Sequence, residues 1–182
     1  MNKYQEIISK LKTKGIEFDS AMSSTEISKI EDLYGLAFPV ELKLLFSVGL
    51  PVSKGFYNWR DVNTNNVQHI KEVLNLPIKG LEDELKDGFW CDEWGIDPSE
   101  IEEARTILLD HYANAPKLIP IYAHRYIPFI PNSEETPVLS IMGSDIICYG
   151  ENLISYLETE FKIKDYDSNM RCKYVDFWSD LL

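Results

Sequence analysis

The chain of 182 residues is 45% hydrophobic and 12% aromatic, which is too apolar for a disordered polypeptide even at a net charge of −12. Its length predicts one domain. The acidic balance argues against binding to nucleic acid or to anionic membranes, since both depend on Lys and Arg that neutralise phosphate charge.

The cysteines and the apolar stretches bear on location. Cys91, Cys148 and Cys172 are odd in number and not closely spaced, so they predict no disulfide framework and favour a reducing cytoplasm. No apolar stretch approaches the roughly 20 residues that cross a bilayer. The first residues mix charges with apolar residues at helical spacing, which is not the pattern of a signal peptide. We therefore expect a soluble, cytoplasmic protein.

Three short helices are predicted in the N-terminal part of the chain. Apolar residues recur at helical spacing over residues 3–14, and Gly15 ends that helix. Ser23 and Glu26 form a capping box that starts the second helix, and Pro39 suits the first turn of the third. Each helix has one apolar side, so the three should pack against another layer.

The middle of the chain predicts an extended segment and two further helices. Residues 55–62 have the composition of an extended segment with bulky aromatic side chains. A fourth helix is predicted to begin at Asn63 and to end at Pro77, because proline disrupts a helix interior. A fifth is predicted to start at Asp97 and Pro98, followed by apolar residues at helical spacing.

From residue 117 the pattern changes to short runs rich in Ile, Val and aromatic residues, separated by Pro, Asn, Ser and Gly. Turn residues at 142–145 predict a tight hairpin. A helix over 151–161 follows, and the last ten residues predict a short final helix. This order predicts an α+β fold in which an antiparallel sheet is flanked by several short helices.

Four segments, in this order, resemble the SUKH superfamily, which includes the yeast Smi/Knr-type cell-wall synthesis regulators. They are a helix–Gly–Pro–helix unit over 30–49, the aromatic segment 55–61, the run LIPIYAHRYIPFIP over 118–131, and a hairpin leading into a helix over 137–161. The resemblance implies a single SUKH-like domain over 1–182, with an acidic elaboration at about residues 76–116. It also implies that no family catalytic residues exist. Bacterial members are commonly immunity proteins that bind and neutralise toxins, many of them nucleases, and the yeast members are regulatory scaffolds.

The negative charge is concentrated in residues 82–110, which we call the acidic segment. It holds 11 acidic and two basic residues, and so carries −9 of the total charge of −12. Its aromatic residues Phe89, Trp90 and Trp94 have two interpretations. They either anchor a loop onto the core, or they form an exposed patch with the carboxylates, because Trp is favoured in binding hot spots and acids steer a basic partner.

The predicted function is that of an immunity protein that occludes a basic toxin domain, for instance a nuclease, which carries Lys and Arg to hold phosphates. The predicted partner-binding residues are Asp83, Glu84, Asp87, Trp90, Asp92, Glu93, Trp94, Glu100 and Glu103. The alternative is an intracellular scaffold or regulator that resembles the yeast members. The oligomeric state is not determined by the sequence.

Catalytic chemistry has little support in the sequence. His69, His111 and His124 have no His or Cys partner at ligand spacing, and neither a nucleophile motif nor a phosphate-binding glycine loop is present. We therefore predict that the chain is not an enzyme and has no catalytic residues. One alternative stays open, a site around His124, Arg125 and Tyr126 in which His124 converges with carboxylates in a deep pocket.

Two carboxylate pairs, Glu100 with Glu103 and Asp92 with Glu93, are the best candidates for a cation site. Carboxylates at the start of a helix are usually a solvated group that the helix dipole stabilises. A cation site needs several convergent oxygen ligands, which the sequence does not indicate. The prediction is therefore no metal and no cofactor.

Overall fold

The computed structural model describes residues 2–167 and 169–182. These residues form an α+β fold with six α-helices and two small antiparallel sheets, which confirms the predicted class. The helices are Lys3–Thr13 (α1), Ser24–Tyr34 (α2), Val40–Phe46 (α3), Thr64–Leu85 (α4), Ile101–Tyr112 (α5) and Leu153–Glu160 (α6). The strands are Phe18–Asp19 (β1), Leu50–Pro51 (β2), Leu118–Tyr122 (β3), Arg125–Pro128 (β4), Val138–Met142 (β5) and Asp145–Gly150 (β6).

The N-terminal helices begin and end close to where the local sequence predicts. At the start of α2 the Ser23 hydroxyl accepts a hydrogen bond from the backbone N–H of Glu26, and the Glu26 carboxylate accepts one from the backbone N–H of Ser23 at 2.8 Å. Gly35 ends this helix in the left-handed conformation, with φ of 61°. The capping box read from the sequence is thus confirmed.

The main sheet has the strand order β3-β4-β5-β6, with every pair antiparallel. Met142 and Asp145 pair across the β5–β6 turn, so the predicted tight hairpin is confirmed. Pro120 lies in β3, an edge strand of this sheet, where its missing N–H donor can face away from the ladder.

Strands β3, β4 and β5 of the main sheet are buried on both faces. Successive side chains of a strand point to opposite faces, so each of these strands contributes to two apolar layers. Ile119 and Ile127 belong to a first hydrophobic cluster with buried residues of α1, α2, α3 and α6. Leu118 and Tyr126 belong to a second cluster with residues of α4, α5 and the C-terminal segment. The sheet therefore separates two apolar layers.

The predicted end of α4 at Pro77 is wrong, since the helix continues to Leu85. An interior proline costs about 3 kcal/mol. The apolar stripe, however, continues through the buried residues Ile78, Leu81 and Leu85, and burial of each such side chain contributes about 1.5–3 kcal/mol. Packing against the second cluster thus outweighs the local penalty. Within the described residues, neither this helix nor any other is long and apolar enough to cross a membrane.

Three other element predictions need correction. α5 begins at Ile101 rather than at Asp97, because residues 95–100 form a loop instead of a first turn. Residues 55–62 form no strand and make only isolated bridges, one of them between Phe56 and Tyr122. The final helix is reduced to a 3-10 turn at Trp178–Leu181, where the Trp178 indole donates a hydrogen bond to a backbone carbonyl before β3.

The prediction that the cysteines are unpaired is wrong for two of them. Cys148 of β6 and Cys172 of the C-terminal segment lie in disulfide contact, with Cα atoms 6.2 Å apart. They are separated by 24 residues of sequence, so only the packing of the C-terminal segment against β6 brings them together. Cys91 is a buried free thiol. The cysteine pattern therefore no longer favours a reducing compartment.

Oxidation of this pair is expected to stabilise the fold by about 3 kcal/mol, because the bond restricts the unfolded chain over a loop of moderate length. Urea denaturation of the wild-type chain with and without dithiothreitol measures the difference. The Cys148→Ser variant should match the reduced wild type and be insensitive to reductant. Equal midpoints for the oxidised and reduced wild type would show that the pair contributes nothing.

Glu158 of α6 gives the fold a dependence on pH. Its side chain is 6% exposed and lies 3.1 Å from the ammonium of Lys10 and 2.6 Å from that of Lys164. Burial raises the pKa of Glu158, but the hydrogen bonds and charges of Lys164 and Lys10 outweigh it and hold this pKa below its ordinary value. The stabilisation is therefore complete above the unfolded pKa of about 4.3 and is lost as the pH falls through the lower folded pKa.

Glu158→Gln is accordingly expected to lower the free energy of unfolding by about 1.5–3 kcal/mol at pH 7 and by much less at about pH 2.5. Urea denaturation at the two pH values provides the measurement. Glu6→Gln is the matched control, because Glu6 is an exposed partner of the same Lys10 at 2.9 Å. It should cost less than about 1 kcal/mol. A cost for Glu158→Gln that does not change with pH would contradict the ion-pair explanation.

Candidate functional site

The acidic segment forms part of the second hydrophobic cluster and is not an appendage. It contains the end of α4, a loop with a 3-10 turn at Asp92–Trp94, and most of α5. Its apolar side chains, among them Leu85 and Leu108, are buried in the second cluster. The segment thus covers one face of the main sheet, and most of its acidic side chains remain exposed.

Six of the nine predicted binding residues are exposed carboxylates: Asp83, Asp87, Asp92, Glu93, Glu100 and Glu103. Two of them lie one turn apart at the end of α4, and two lie at the start of α5. Glu84 differs, because it is half-buried and its Oε2 accepts a hydrogen bond from the backbone N–H of Ser144 at 2.8 Å. Its carboxylate fastens α4 to the β5–β6 turn, so its role here is structural.

The two tryptophans of the segment have different environments. Trp94 is only 6% exposed and stacks with His111 and with Phe177, at centroid distances of 6.2 and 6.0 Å. The anchoring interpretation therefore holds for Trp94, and the exposed-patch interpretation is wrong for it. Trp90 is half-buried, donates a hydrogen bond from its indole N–H to the carbonyl of Gly95 at 2.8 Å, and packs edge-to-face with Trp94 at 5.3 Å.

The C-terminal segment adds carboxylates to the site that the sequence reasoning missed. Phe177 stacks on Trp94, which brings Asp176 and Asp180 close to the acidic loop. The pKa of Tyr174 reflects these nearby carboxylates. The largest cause is its hydrogen bond with Asp180, followed by desolvation and by the charges of Asp180, Asp176 and Glu93, and together they raise the pKa of Tyr174 to about 12. No local signal could have revealed the contact, because more than 80 residues separate the two parts of the chain.

The cysteine in this region is not a reactive thiol. Cys91 is buried beneath the loop, and its sulfur lies 3.6 Å from the carbonyl oxygen of Asp180. Burial, together with the nearby charges of Asp180, Glu93 and Asp92, raises the pKa of Cys91 despite a hydrogen bond from the backbone of Glu93. A thiol that is harder to deprotonate is a poor nucleophile, so Cys91 serves the packing of the loop.

In the alternative site around His124, the neighbouring side chains of Arg125 and Tyr126 contact other parts of the fold. His124 lies in the turn between β3 and β4, and burial, followed by the charge of Arg125, lowers its pKa. The Arg125 guanidinium lies 3.2 Å from Glu160 and 4.2 Å from the ring centre of Tyr149. Tyr126 is buried and donates its hydroxyl to a backbone carbonyl of α4. Arg125 and Tyr126 therefore have structural partners.

A broad groove of about 800 Å³ lies beside the end of α2 and the start of β3, and Asp176 of the C-terminal segment is among its lining residues. Two of its charged residues are already engaged. Glu31 lies 2.8 Å from the ammonium of Lys43, and Lys117 donates to the carbonyl of Gly35 at 2.9 Å. The groove is wide and open, so its size alone does not indicate a ligand.

Within the part of the chain that the structure describes, the two carboxylate pairs of the acidic segment are not part of a larger group of metal ligands. Across residues 2–167 and 169–182, no three His, Cys, Asp or Glu side chains are grouped so that they could hold a metal ion. Comparison of the chain with family models, with curated proteins and with solved structures found no match in any of the three.

Proposed function

We propose that this chain is an immunity protein that binds a basic domain of a toxin through the acidic segment and thereby blocks it. The observation that carries the proposal is the concentration of exposed carboxylates in residues 82–110, joined by Asp176 and Asp180 of the C-terminal segment. A partner of high positive charge is the class of protein that such a surface attracts.

The physics of association supports occlusion as the mechanism. A protein that acts on nucleic acid carries Lys and Arg to hold phosphates, and an acidic surface is complementary to that same site. Long-range attraction accelerates the encounter, and apolar and aromatic contacts at the centre of the interface slow dissociation. A bound immunity protein would then exclude the nucleic acid by occupying its site.

The SUKH-like fold is part of the same proposal. The segments that carry the resemblance form α2 and α3, joined through Gly35 and Pro39, and the β5–β6 hairpin that leads into α6. This order of elements supports a SUKH-like arrangement. Bacterial members of the SUKH superfamily are commonly immunity proteins, and this role agrees with the charge distribution of the chain.

The test is neutralisation of a toxin domain encoded beside this chain. We expect co-expression of the wild-type chain to restore growth of cells that produce the toxin domain, and the purified proteins to form a saturable complex. A toxin domain from an unrelated system is the control and should stay active. The absence of both a complex and growth rescue at a molar excess of the chain would refute the proposal. Weak binding to many unrelated proteins would favour the scaffold alternative instead.

A further inference from the structure

A cleft of about 450 Å³ opens between the end of α4 and the start of α5, beside Trp90. We call it the Trp90 cleft. Its lining includes the aromatic rings of Phe89 and Trp90 and the carboxylate of Asp97. Leu85, Ile101 and Ala104 supply its apolar part. This volume lies in the range of sites that accept one small ligand or one inserted side chain.

Trp90 is a fixed wall of this cleft and not a mobile surface residue. Its indole N–H donates to the carbonyl of Gly95 at 2.8 Å, and its ring packs edge-to-face with the buried Trp94. Phe89 also packs edge-to-face with Trp94, at 5.9 Å. Because both rings rest on a buried neighbour, the cleft loses little conformational entropy when it is filled.

The charges around the cleft favour a cation. Asp97 is exposed, and among the described residues no Lys, Arg or His lies within ion-pair distance of its carboxylate. Lys86 also lines the cleft, but its ammonium is paired with Asp83. The Asp97 carboxylate is therefore not paired with a cation, and it lies in a segment of net charge −9.

The two helix ends at the cleft have opposite effects. The C-terminal end of α4 is the negative end of its helix dipole, which favours a cation. No basic residue occupies the last turn of this helix, and Lys86 follows as its C-cap. The N-terminal end of α5 favours an anion, but Glu102 and Glu103 in its first turn already offset that positive end. The balance of fixed charges thus remains negative.

A guanidinium group matches this combination better than an ammonium does. It is planar, stacks on aromatic rings, is weakly hydrated, and presents a fork of N–H donors to a carboxylate. An ammonium is strongly hydrated and gains less from rings and an apolar floor. Beside the cleft, Ile96 is 93% exposed and Ile101 is 43% exposed. These two side chains can make apolar contacts with the residues that flank such an arginine in a protein partner.

We infer that the Trp90 cleft holds an arginine side chain of the partner protein, with the guanidinium against Trp90 and paired with Asp97. The inference rests on the proposed function for the identity of that partner as a basic toxin domain. Capture of a guanidinium group, however, is a property of this chain alone and can be tested without the partner.

The experiment is an NMR titration of the ¹⁵N-labelled chain that follows the Trp90 indole N–H, which a Trp90→Phe variant assigns. Three probes share a backbone: Nα-acetyl-arginine amide, Nα-acetyl-lysine amide, and Nα-acetyl-citrulline amide, which keeps the shape of arginine without its charge. We expect saturable shifts with the arginine probe, binding about fivefold weaker with the lysine probe, and no saturable shift with the citrulline probe.

Exposed residues supply the variants, so folding is not at risk. Asp97→Asn should weaken binding of the arginine probe about fivefold or more, since it removes the charge-assisted pair. Lys86→Gln should strengthen it, because a competing cation at the cleft is lost. Asp92→Asn is the matched control: Asp92 is an exposed acid of the same loop that does not line the cleft, and its effect should be below twofold.

Equal affinities for the arginine and lysine probes, with equal effects of Asp97→Asn and Asp92→Asn, would overturn the inference and indicate a diffuse field. A saturable shift with inorganic phosphate and none with the arginine probe would also overturn it, since the cleft would then bind anions. If the arginine probe binds as expected but no toxin is neutralised, the cleft inference stands and the proposed function fails. If the toxin is neutralised equally well by Asp97→Asn and no guanidinium is captured, the proposed function stands and the cleft inference fails.

Discussion

Replacement of Glu41 by alanine is expected to lower the free energy of unfolding by about 4 kcal/mol, with about 1–3 kcal/mol for each buried N–H group that loses its acceptor. Glu41 lies on α3 and is only 1% exposed. Its Oε2 accepts the backbone N–H of Thr136 at 2.7 Å, and its Oε1 accepts that of Leu153 at 3.0 Å. One carboxylate thus joins α3 to the segment before β5 and to the first turn of α6.

The pH dependence of this contribution is opposite to that of Glu158. Burial raises the pKa of Glu41, and the hydrogen bonds from Thr136 and Leu153 reduce this effect without reversing it. Because the folded pKa lies above the unfolded one, protonation of Glu41 favours the folded state. Mild acidification should therefore not weaken the fold at this position.

Urea denaturation of the wild-type chain, Glu41→Ala and Glu41→Gln measures the effect. Glu41→Gln keeps the shape and one acceptor, so it should lose less stability than Glu41→Ala. Glu134→Ala is the matched control, because Glu134 is an exposed carboxylate close in sequence to Thr136. A loss below about 1 kcal/mol for Glu41→Ala would show that the two N–H groups find other acceptors.

Conversion of the six exposed carboxylates of the acidic segment to amides is expected to slow association with the toxin domain by about 10-fold to 100-fold at low salt. The variant carries Asp83→Asn, Asp87→Asn, Asp92→Asn, Glu93→Gln, Glu100→Gln and Glu103→Gln. The dissociation rate should change less, because it depends on the central contacts more than on the long-range field. Stopped-flow association at about 0.05 M and 0.5 M salt provides the measurement, and the wild-type rate should approach that of the variant at high salt.

A control variant separates position from total charge. It carries the same number of amide substitutions at exposed acids outside the segment: Glu6, Glu17, Asp32, Glu72, Glu134 and Asp145. Both variants have the same net charge, but only the first removes the local field. If the two variants slow association equally, the overall charge and not the acidic segment governs recognition.

Local sequence was sufficient for most of the fold. The capping box at Ser23, the left-handed end of α2 at Gly35 and the turn between β5 and β6 all depend on residues within a few positions of each other. Such signals act within one turn of a helix or one hairpin, so they can be recognised without knowledge of the rest of the chain. The concentration of charge in the acidic segment is equally a property of the sequence.

The details of the candidate site depended on contacts between distant residues. Trp90 and Trp94 lie four positions apart in one loop, yet only Trp94 is buried, because Phe177 from the C-terminal segment stacks on it. Glu84 is acidic like its neighbours, but a backbone N–H of the distant β5–β6 turn binds it.

The sequence by itself determined the α+β class, the start of most helices and the location of the acidic segment. Only the tertiary structure decided that α4 passes through Pro77, that Cys148 meets Cys172, and that Trp90 borders an open cleft. The physical reason is the range of the interactions. Caps, turns and charge counts are set by near neighbours, whereas burial and pairing are set by surfaces that meet only when the whole chain packs.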